Sequence, residues 1–264
     1  MKHEEFRIRY YELGPDGAAP LHALCDYFQE AAGLDAHTLA CGYEDLVNSG
    51  VAWVLTRMQL TPLAKAAAGS KLTVHTWHSV SDRLFSRREF YITNEKNDVI
   101  LKGSTWWLLI DVRTRKVART PQSLLDGNPP RPEFVLAEHN PKAPDFDGVA
   151  PVLTLPVIVR DEDIDSNAHV NNTHFTAWAI ESAPRDIVGK RALKELVITF
   201  KHECFSKDKL KMSVYAAASP PGFTVHGLQF TVGAAAPDAP VEFWHMLVRE
   251  NDGKECARIY TRWE

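Results

Sequence analysis

Residues that could do chemistry crowd into a single stretch of this 264-residue chain, Asp161-Glu162-Asp163-Ile164-Asp165-Ser166-Asn167-Ala168-His169-Val170-Asn171-Asn172. An acidic, turn-forming run leads to a histidine and then to two asparagines. Asp165, Asn167 and His169 fall at alternate positions, so in an extended segment their side chains would share one side. The Asn pair before Thr173-His174-Phe175-Thr176-Ala177-Trp178 is a helix N-cap signal. Carboxylate, amide and imidazole would then lie beside the positive end of a helix dipole, where developing negative charge is favoured. That combination suits acyl chemistry.

Other readings of the stretch fit less well. Taken as a calcium loop, Asp161, Asp163 and Asp165 would fill positions 1, 3 and 5, but Ser166 replaces the required Gly and Asn172 the closing Glu. A helical zinc pair fails because His169 and His174 do not share a helical face. The bland alternative makes Asp165 and the asparagines simple helix caps, with His169 satisfied in a turn.

The elements around the stretch read as two similar halves. Phe6 to Tyr11 is strand-like and ends in Gly14-Pro15-Asp16-Gly17. A helix is expected over Pro20 to Ala32, with Gly33 as its stop, followed by helix-like pieces through Leu39 and from Tyr43 to Val47. Long β-type runs follow: Val51 to Leu60, Leu72 to Val80, Arg87 to Thr93, Ile100 to Val112, and a short one at Lys116 to Arg119. From Thr120 to Pro156 the texture changes, with eight of the sixteen prolines, and reads as an extended linker outside any core. The second half repeats the order: a strand at Leu155 to Arg160, a helix through about Asp186, then strands at Leu193 to Cys204, Leu210 to Ala216, Phe223 to Val232, Val241 to Glu250 and Cys256 to Trp263. Consecutive strands without helices between them indicate antiparallel sheets, each covered by a helix.

Local sequence supports a duplication. Glu30-Ala31-Ala32 resembles Glu181-Ser182-Ala183, and Val54 to Leu60 resembles Val197 to Glu203. This register sets Ala18 opposite His169 and Leu60 opposite Glu203, so the first copy would be apolar where the second is polar. One reactive site is expected, in the second half, with Leu24, Phe28, Trp53, Leu55 and Met58 of the first half available to an apolar substrate tail.

Composition excludes several classes. A net charge of -4 is too slight to argue for nucleic acid or an anionic membrane. No run approaches a membrane span, and the charged start Met1-Lys2-His3-Glu4-Glu5 has no signal or transit character. Cys25, Cys41, Cys204 and Cys256 form no CxxC pair, and free thiols in a reducing cytoplasm are expected.

The run from Asp163 to Asn172 resembles the signature of acyl-acyl-carrier-protein thioesterases, Asp-x-Asn-x-His. The likeness continues through Trp178-Ala179-Ile180-Glu181-Ser182-Ala183-Pro184 to Glu203-Cys204. It implies an α+β double hotdog, two tandem hotdog folds each with a long helix on an antiparallel sheet. The halves would be 1–122 (acyl-chain pocket) and 151–264 (catalytic residues), joined by a Pro-rich linker over 123–150. It further implies a catalytic network of Asp165, Asn167, His169 and Glu203, with Cys204 as alternative nucleophile, and neither metal nor cofactor.

In this resemblance the substrate is a fatty acyl chain on the phosphopantetheine of an acyl carrier protein, hydrolysed to free fatty acid in the cytoplasm; a homodimer is compatible. The acidic carrier would meet basic residues drawn from Arg87-Arg88, Arg113 to Arg119, Lys201, Lys207, Lys209 and Lys211. An acyl-CoA thioesterase, a hotdog 3-hydroxyacyl hydratase or dehydratase, and a non-catalytic acyl-binding module are the alternatives. Strand parity through Leu196 to Cys204 turns Cys204 toward the core and Glu203 away from it, unless a bulge intervenes.

Overall fold

The computed structural model describes all residues except 128, 218–222, 226–227 and 231–238. Two compact units divide the chain, residues Met1–Glu138 and His139–Glu264. The first contains β1 (Lys2–Arg7), α1 (Leu21–Thr38), α2 (Tyr43–Asn48), β2 (Val51–Pro62), β3 (Lys71–Ser81), β4 (Phe85–Thr93), β5 (Val99–Asp111), β6 (Val117–Ala118) and α3 (Gln122–Gly127). Its antiparallel sheet runs β1-β3-β4-β5-β2, with β6 paired to β5. The second contains β7 (Leu153–Ile158), α4 (His174–Ser182), α5 (Arg185–Val188), β8 (Leu193–Phe200), β9 (Lys209–Ala216), β10 (Phe223–Val225), β11 (Leu228–Phe230), β12 (Val241–Arg249) and β13 (Glu255–Trp263). Its main sheet runs β8-β13-β12-β9-β7, again antiparallel. The α+β hotdog class expected from the sequence is the one observed.

In the first unit α1 buries Leu21, Leu24, Cys25, Tyr27, Phe28 and Ala31, the face set by its helical spacing. Phe28 stacks on Phe90 of β4 at 4.6 Å between ring centroids. This approach needs Gly103 in β5, because a Cβ there would stand 2.7 Å from the Phe28 ring. The helix runs through Gly33 instead of stopping there. Gly33 has no left-handed φ, and the first residue past the helix with one is Ala40, at φ 51°.

The second helix is shorter than its periodicity suggested. Ala183 adopts φ -69°, ψ 147°, as a residue before proline is driven to do, and Pro184 then opens the separate turn α5. The first strand lies earlier than Phe6 to Tyr11, because Tyr10–Glu12 is a 3-10 turn held by the Arg9 N–H on Glu12 Oε2 at 2.7 Å. Within Phe223 to Val232 the structure has two short strands, β10 and β11, paired with each other; residues 226–227 and 231–232 lie outside the described residues.

A helix covers only one face of each sheet, and the Pro-rich stretch covers part of the other. In the first unit, residues 133–138 lie against Arg57, Gln59, Trp77, Arg87 and Glu89. Trp77 Nε1 donates to the Glu133 carbonyl (3.0 Å), Val135 N–H to Glu89 Oε2 (3.2 Å), Arg87 to the Leu136 carbonyl (2.8 Å) and Gln59 to the Ala137 carbonyl (3.2 Å), while Arg57 pairs with Glu138. In the second unit, Phe146 stacks on Tyr215 at 4.1 Å and His139 reaches Glu195 at 3.0 Å, beside the row Val197, Tyr260, Trp244, Tyr215. The stretch expected to be a linker begins with α3 and ends in β7, where Pro156 pairs with Lys211; between them its described residues form no strand, yet they roof a buried surface and are more than a tether.

The opposite face of the second sheet carries a buried histidine. Ser182 at the end of α4 donates its hydroxyl proton to the Ala179 carbonyl (3.0 Å), so its oxygen accepts from His245 Nδ1 (2.9 Å). Trp263 Nε1 donates to Thr261 Oγ1 (3.0 Å), whose hydroxyl in turn serves His245 Nε2 (3.0 Å). The chain of donors is complete only with a neutral imidazole protonated at Nδ1. Burial lowers the His245 pKa from 6.5 to about 3.

Between those two values the unfolded chain binds a proton that the folded chain refuses, so stability falls as pH drops below about 6.5 toward about 3. This group contributes at most about 1.4 kcal/mol per pH unit in that window. Urea unfolding from about pH 7 to about pH 5 should show the decline, and His245→Gln should be less stable at neutral pH but flatter by that slope. Equal slopes in the two proteins would contradict a neutral His245.

Candidate active site

The chemically suggestive stretch is a hairpin, not an extended strand. Ile164 bridges Val170, Asp165 N–H donates to the His169 carbonyl (2.9 Å) and Ala168 N–H to the Asp165 carbonyl (3.0 Å). Ala168 takes the left-handed conformation at φ 62° that closes such three-residue loops. The alternate-side argument therefore does not apply. The tight turn sets the Asp165 carboxylate against Asn167, while the His169 ring is turned to Glu203. A 3-10 turn at Asp161–Asp163 precedes the hairpin, with Arg160 N–H on Asp163 Oδ2 at 2.8 Å. Asn171 Oδ1 then accepts the Thr173 N–H at 3.1 Å in a turn that leads into α4, whose N-cap is Thr173 without a side-chain cap bond, so neither asparagine caps the helix as the sequence suggested.

Two polar pairs result. Asp165 Oδ1 accepts the Asn167 N–H at 2.8 Å, and its Oδ2 lies 3.4 Å from the Asn167 amide nitrogen. His169 Nε2 lies 3.5 Å from Glu203 Oε2, both side chains half-buried. His174 does not join them: its Nδ1 faces buried Asp163 at 3.5 Å. Among the described residues no cluster of three or more His, Cys, Asp or Glu could hold a metal.

Glu203 reaches His169 because its backbone has left the sheet. β8 ends at Phe200, four residues short of the strand expected to reach Cys204. Lys201 and His202 N–H groups both donate to the Cys256 carbonyl (2.9 and 3.2 Å), the irregularity that breaks the alternation. Val170 N–H then donates to the Cys204 carbonyl at 2.9 Å, fastening the hairpin to this segment. Cys204 itself is 1% exposed. Contact with the Cys256 thiol and then burial push its pKa up, the reverse of an activated nucleophile.

Two neighbours were not read from the sequence. The ring of Phe205, largely exposed, meets the His169 ring edge-on at 5.2 Å. Arg249 at the end of β12 donates to the Glu203 carbonyl at 3.0 Å. An exposed aromatic directly after Glu203-Cys204 was the available signal for the first; nothing local in the sequence marks the second.

The first unit contains the same scaffold with different side chains. Gly14 N–H donates to the Ala18 carbonyl, Gly17 N–H to the Gly14 carbonyl and Ala19 N–H to the Ala66 carbonyl, matching the three bonds of Asp165, Ala168 and Val170. Gly17 holds the left-handed position at φ 73°. Leu63 and Ala64 both donate to the Ile100 carbonyl, as Lys201 and His202 do to that of Cys256. Ala18 thus stands opposite His169, as the sequence register had it. Glu203, however, matches Lys65 and not Leu60, and Lys65 pairs with Asp16 at 2.6 Å. The first copy is charged here, not apolar.

A family model of the acyl-ACP thioesterase N-terminal domain matches residues 1–127, and one of the C-terminal domain matches residues 152–264. The chain belongs to the acyl-ACP thioesterase family. It is 28% identical to a chloroplastic palmitoyl-acyl carrier protein thioesterase of Arabidopsis thaliana, over 98% of this chain and 63% of that protein. A chloroplastic oleoyl-acyl carrier protein thioesterase of the same plant is 24% identical over 98% of this chain and 76% of its own length. The chain thus spans under two thirds of the palmitoyl relative. In fold it is similar to a 12:0-ACP thioesterase from Umbellularia californica (TM-score 0.79, 20% identity, 99% of this chain and 93% of that one). It is also similar to an acyl-ACP thioesterase from Bacteroides thetaiotaomicron (TM-score 0.79, 19% identity, 99% and 97%).

Within this family frame, part of the expected basic patch is withdrawn. Arg87 pairs with fully buried Glu89 at 2.6 Å and Arg88 with Asp35 at 2.6 Å, so neither presents its charge to a partner. Lys207, Lys209 and Lys211 are exposed, and Lys201 pairs with Glu255 at 2.7 Å. Of the candidate tail-lining residues, Leu24, Phe28, Leu55 and Met58 are buried and Trp53 is half-buried. No helix among the described residues is long and apolar enough to cross a membrane.

The left-handed Ala168 costs about 1 kcal/mol that glycine would not pay. Ala168→Gly should raise the urea midpoint by an amount corresponding to about 1 kcal/mol, and Ala168→Val should lower it by at least as much. A destabilised glycine variant would show that the hairpin is not strained there.

Proposed function

We propose that the protein hydrolyses the thioester of a fatty acyl-acyl carrier protein and releases free fatty acid. The observation that carries this reading is the approach of Glu203 to His169 Nε2 on a hairpin that also fixes Asp165 against Asn167. Thioester hydrolysis needs an activated water, a stabiliser for the tetrahedral oxyanion and a proton for the departing thiolate. The Glu203–His169 pair is the better placed of the two carboxylate arrangements to take a proton from water. Water oxygen then bonds to the carbonyl carbon, the C–S bond breaks, and the proton passes to the sulfur. Asp165 orients Asn167, whose amide serves the oxyanion.

Cys204 has no part in this scheme, since its buried thiol is held protonated. No cofactor or metal is invoked. The partner is an acyl carrier protein, met through the exposed members of the basic set, among them Arg113, Arg119, Lys207, Lys209 and Lys211, and without Arg87 and Arg88. Free, unpaired cysteines accord with a reducing compartment such as the cytoplasm. A dimeric state is not required by any residue in the scheme.

Purified protein offered acyl-carrier and acyl-CoA thioesters should release thiol and free acid, with the carrier donor preferred in kcat/KM. His169→Ala should lose at least about 100-fold in kcat, the usual scale for a general acid–base group. Cys204→Ser should stay within a few-fold of the parent. Thiol release from neither donor would end the hydrolase reading, and a dead Cys204→Ser that is still folded would restore the thiol mechanism.

A further inference from the structure

Glu203 lies beyond the last ladder residue of β8, so the sheet does not set where its carboxylate points. Two of the bonds on this segment bear directly on Glu203 and Cys204. One is the Val170 N–H on the Cys204 carbonyl, and the other is the guanidinium of Arg249. Arg249 Nη1 donates to the Glu203 carbonyl at 3.0 Å and lies 3.3 Å from Asp208 Oδ2. Asp208 Oδ2 also accepts the Phe205 N–H at 3.0 Å, and the guanidinium carbon lies 5.8 Å from the Phe205 ring centroid. The loop that flanks His169 on two sides, with Glu203 and Phe205, is therefore gathered onto one side chain.

That side chain is itself clamped. Asp252, in the turn between β12 and β13, takes Arg249 Nε and Nη2 on its two oxygens, both at 3.1 Å. Lys254 N–H donates to Asp252 Oδ1 at 3.2 Å, and Gly253 closes the turn at φ 69°. The contact with Arg249 holds the Asp252 carboxyl down at about 2. A planar fork with fixed donors can serve Asp252 on one edge and Glu203 on the other, which a lysine cannot do.

We infer that Arg249 is a positioning residue for the reaction: fixed by Asp252, it sets the Glu203 main chain so that the Glu203 carboxylate meets His169. The inference rests on the proposed hydrolysis at His169 and extends it to a residue that the signature does not include. Arg249 touches no reacting atom and acts only through Glu203 and Phe205. Asp252 supports it at one remove.

A double-mutant cycle in the full-length protein tests this. Arg249→Met should lower kcat by about 10- to 100-fold with KM within about twofold, the scale of losing orientation of a reacting group. Arg249→Lys keeps the charge but loses the fork and should fall at least about tenfold in kcat. Combined with Glu203→Gln, Arg249→Met should cost at most about threefold more, because both changes disable one unit. Asp252→Ala should show a smaller kcat loss of the same kind, and it covers the case in which Arg249→Met does not fold.

Full activity in Arg249→Lys, or losses that multiply in the double variant, would overturn the inference. A second readout is independent of turnover. The His169 ring signals in ¹H–¹⁵N spectra should move in Arg249→Met and Asp252→Ala but not in the distant control Lys96→Met. Wild-type protein that releases no thiol would end the hydrolase reading alone, and unmoved His169 signals would then end this one.

Discussion

The hydrogen bond from the Val170 N–H to the Cys204 carbonyl holds the candidate site together. His169 and Glu203 belong to segments far apart in sequence, a hairpin before α4 and a tail after β8. Neither segment is in the ladder of the sheet where its reactive side chain departs. Their meeting depends on backbone bonds outside the regular elements: the double donation onto the Cys256 carbonyl, the bond at Cys204, and the hairpin's own closure at Asp165 and Ala168. Each is a neutral backbone bond of ordinary strength, worth about 1 kcal/mol net. Together they fix positions to which a side-chain pair at 3.5 Å is sensitive.

The first unit has the same frame without the imidazole–carboxylate pair. Bond for bond, Gly14, Gly17, Ala19, Leu63 and Ala64 repeat the frame of the second unit, with Ala18 where His169 stands and a Lys65–Asp16 ion pair near it. That pair is exposed and lies in a high dielectric, so it contributes little to stability. The frame thus tolerates either a solvated ion pair or an imidazole–carboxylate pair at the same place. What differs is Arg249, whose fork gives the second unit a clamp on the strand tail.

Much of this was legible in the residues. The helix start after the asparagines, most of the long strands of both halves and the Ala18–His169 register follow from turn chemistry and periodicity, whereas Cys204 is buried although the alternation that turned it inward is broken at Lys201 and His202. The failures have common causes. Matching Val54 to Leu60 with Val197 to Glu203 slides the two strands past each other, because short β-branched and apolar runs resemble one another at several offsets; the hydrogen bonds align the strand ends Pro62 and Phe200 and so set Lys65 opposite Glu203. A left-handed alanine leaves no trace in composition, so the hairpin around Ala168 read as extended. Pro184 did mark its helix end, but the apolar pattern on either side masked it. The Pro-rich stretch reads as a tether because proline cannot donate to a ladder and disfavours regular elements. It does not forbid covering a sheet face through side-chain donors such as Trp77 and Arg87.

The two units also solve the burial of polar groups in different ways, and this bears on where chemistry can arise. In the first, Glu89 is fully buried and is met by Arg87, Ser79, Ser104 and the Val135 N–H, so every lone pair is spent on structure. In the second, His245 is buried neutral in a closed chain of donors, with its proton equally committed. Saturated groups of this kind hold elements together but cannot exchange protons with a substrate. His169 and Glu203 are half-buried and face each other at 3.5 Å, and the segments that carry them are held by bonds to the main chain. A proton-transfer pair needs its heavy atoms held while its lone pairs stay available. In the proposed reaction, placing that pair where the chain has left the sheet, with Arg249 on the Glu203 carbonyl, lets the main chain do the holding while both side chains stay partly open to solvent.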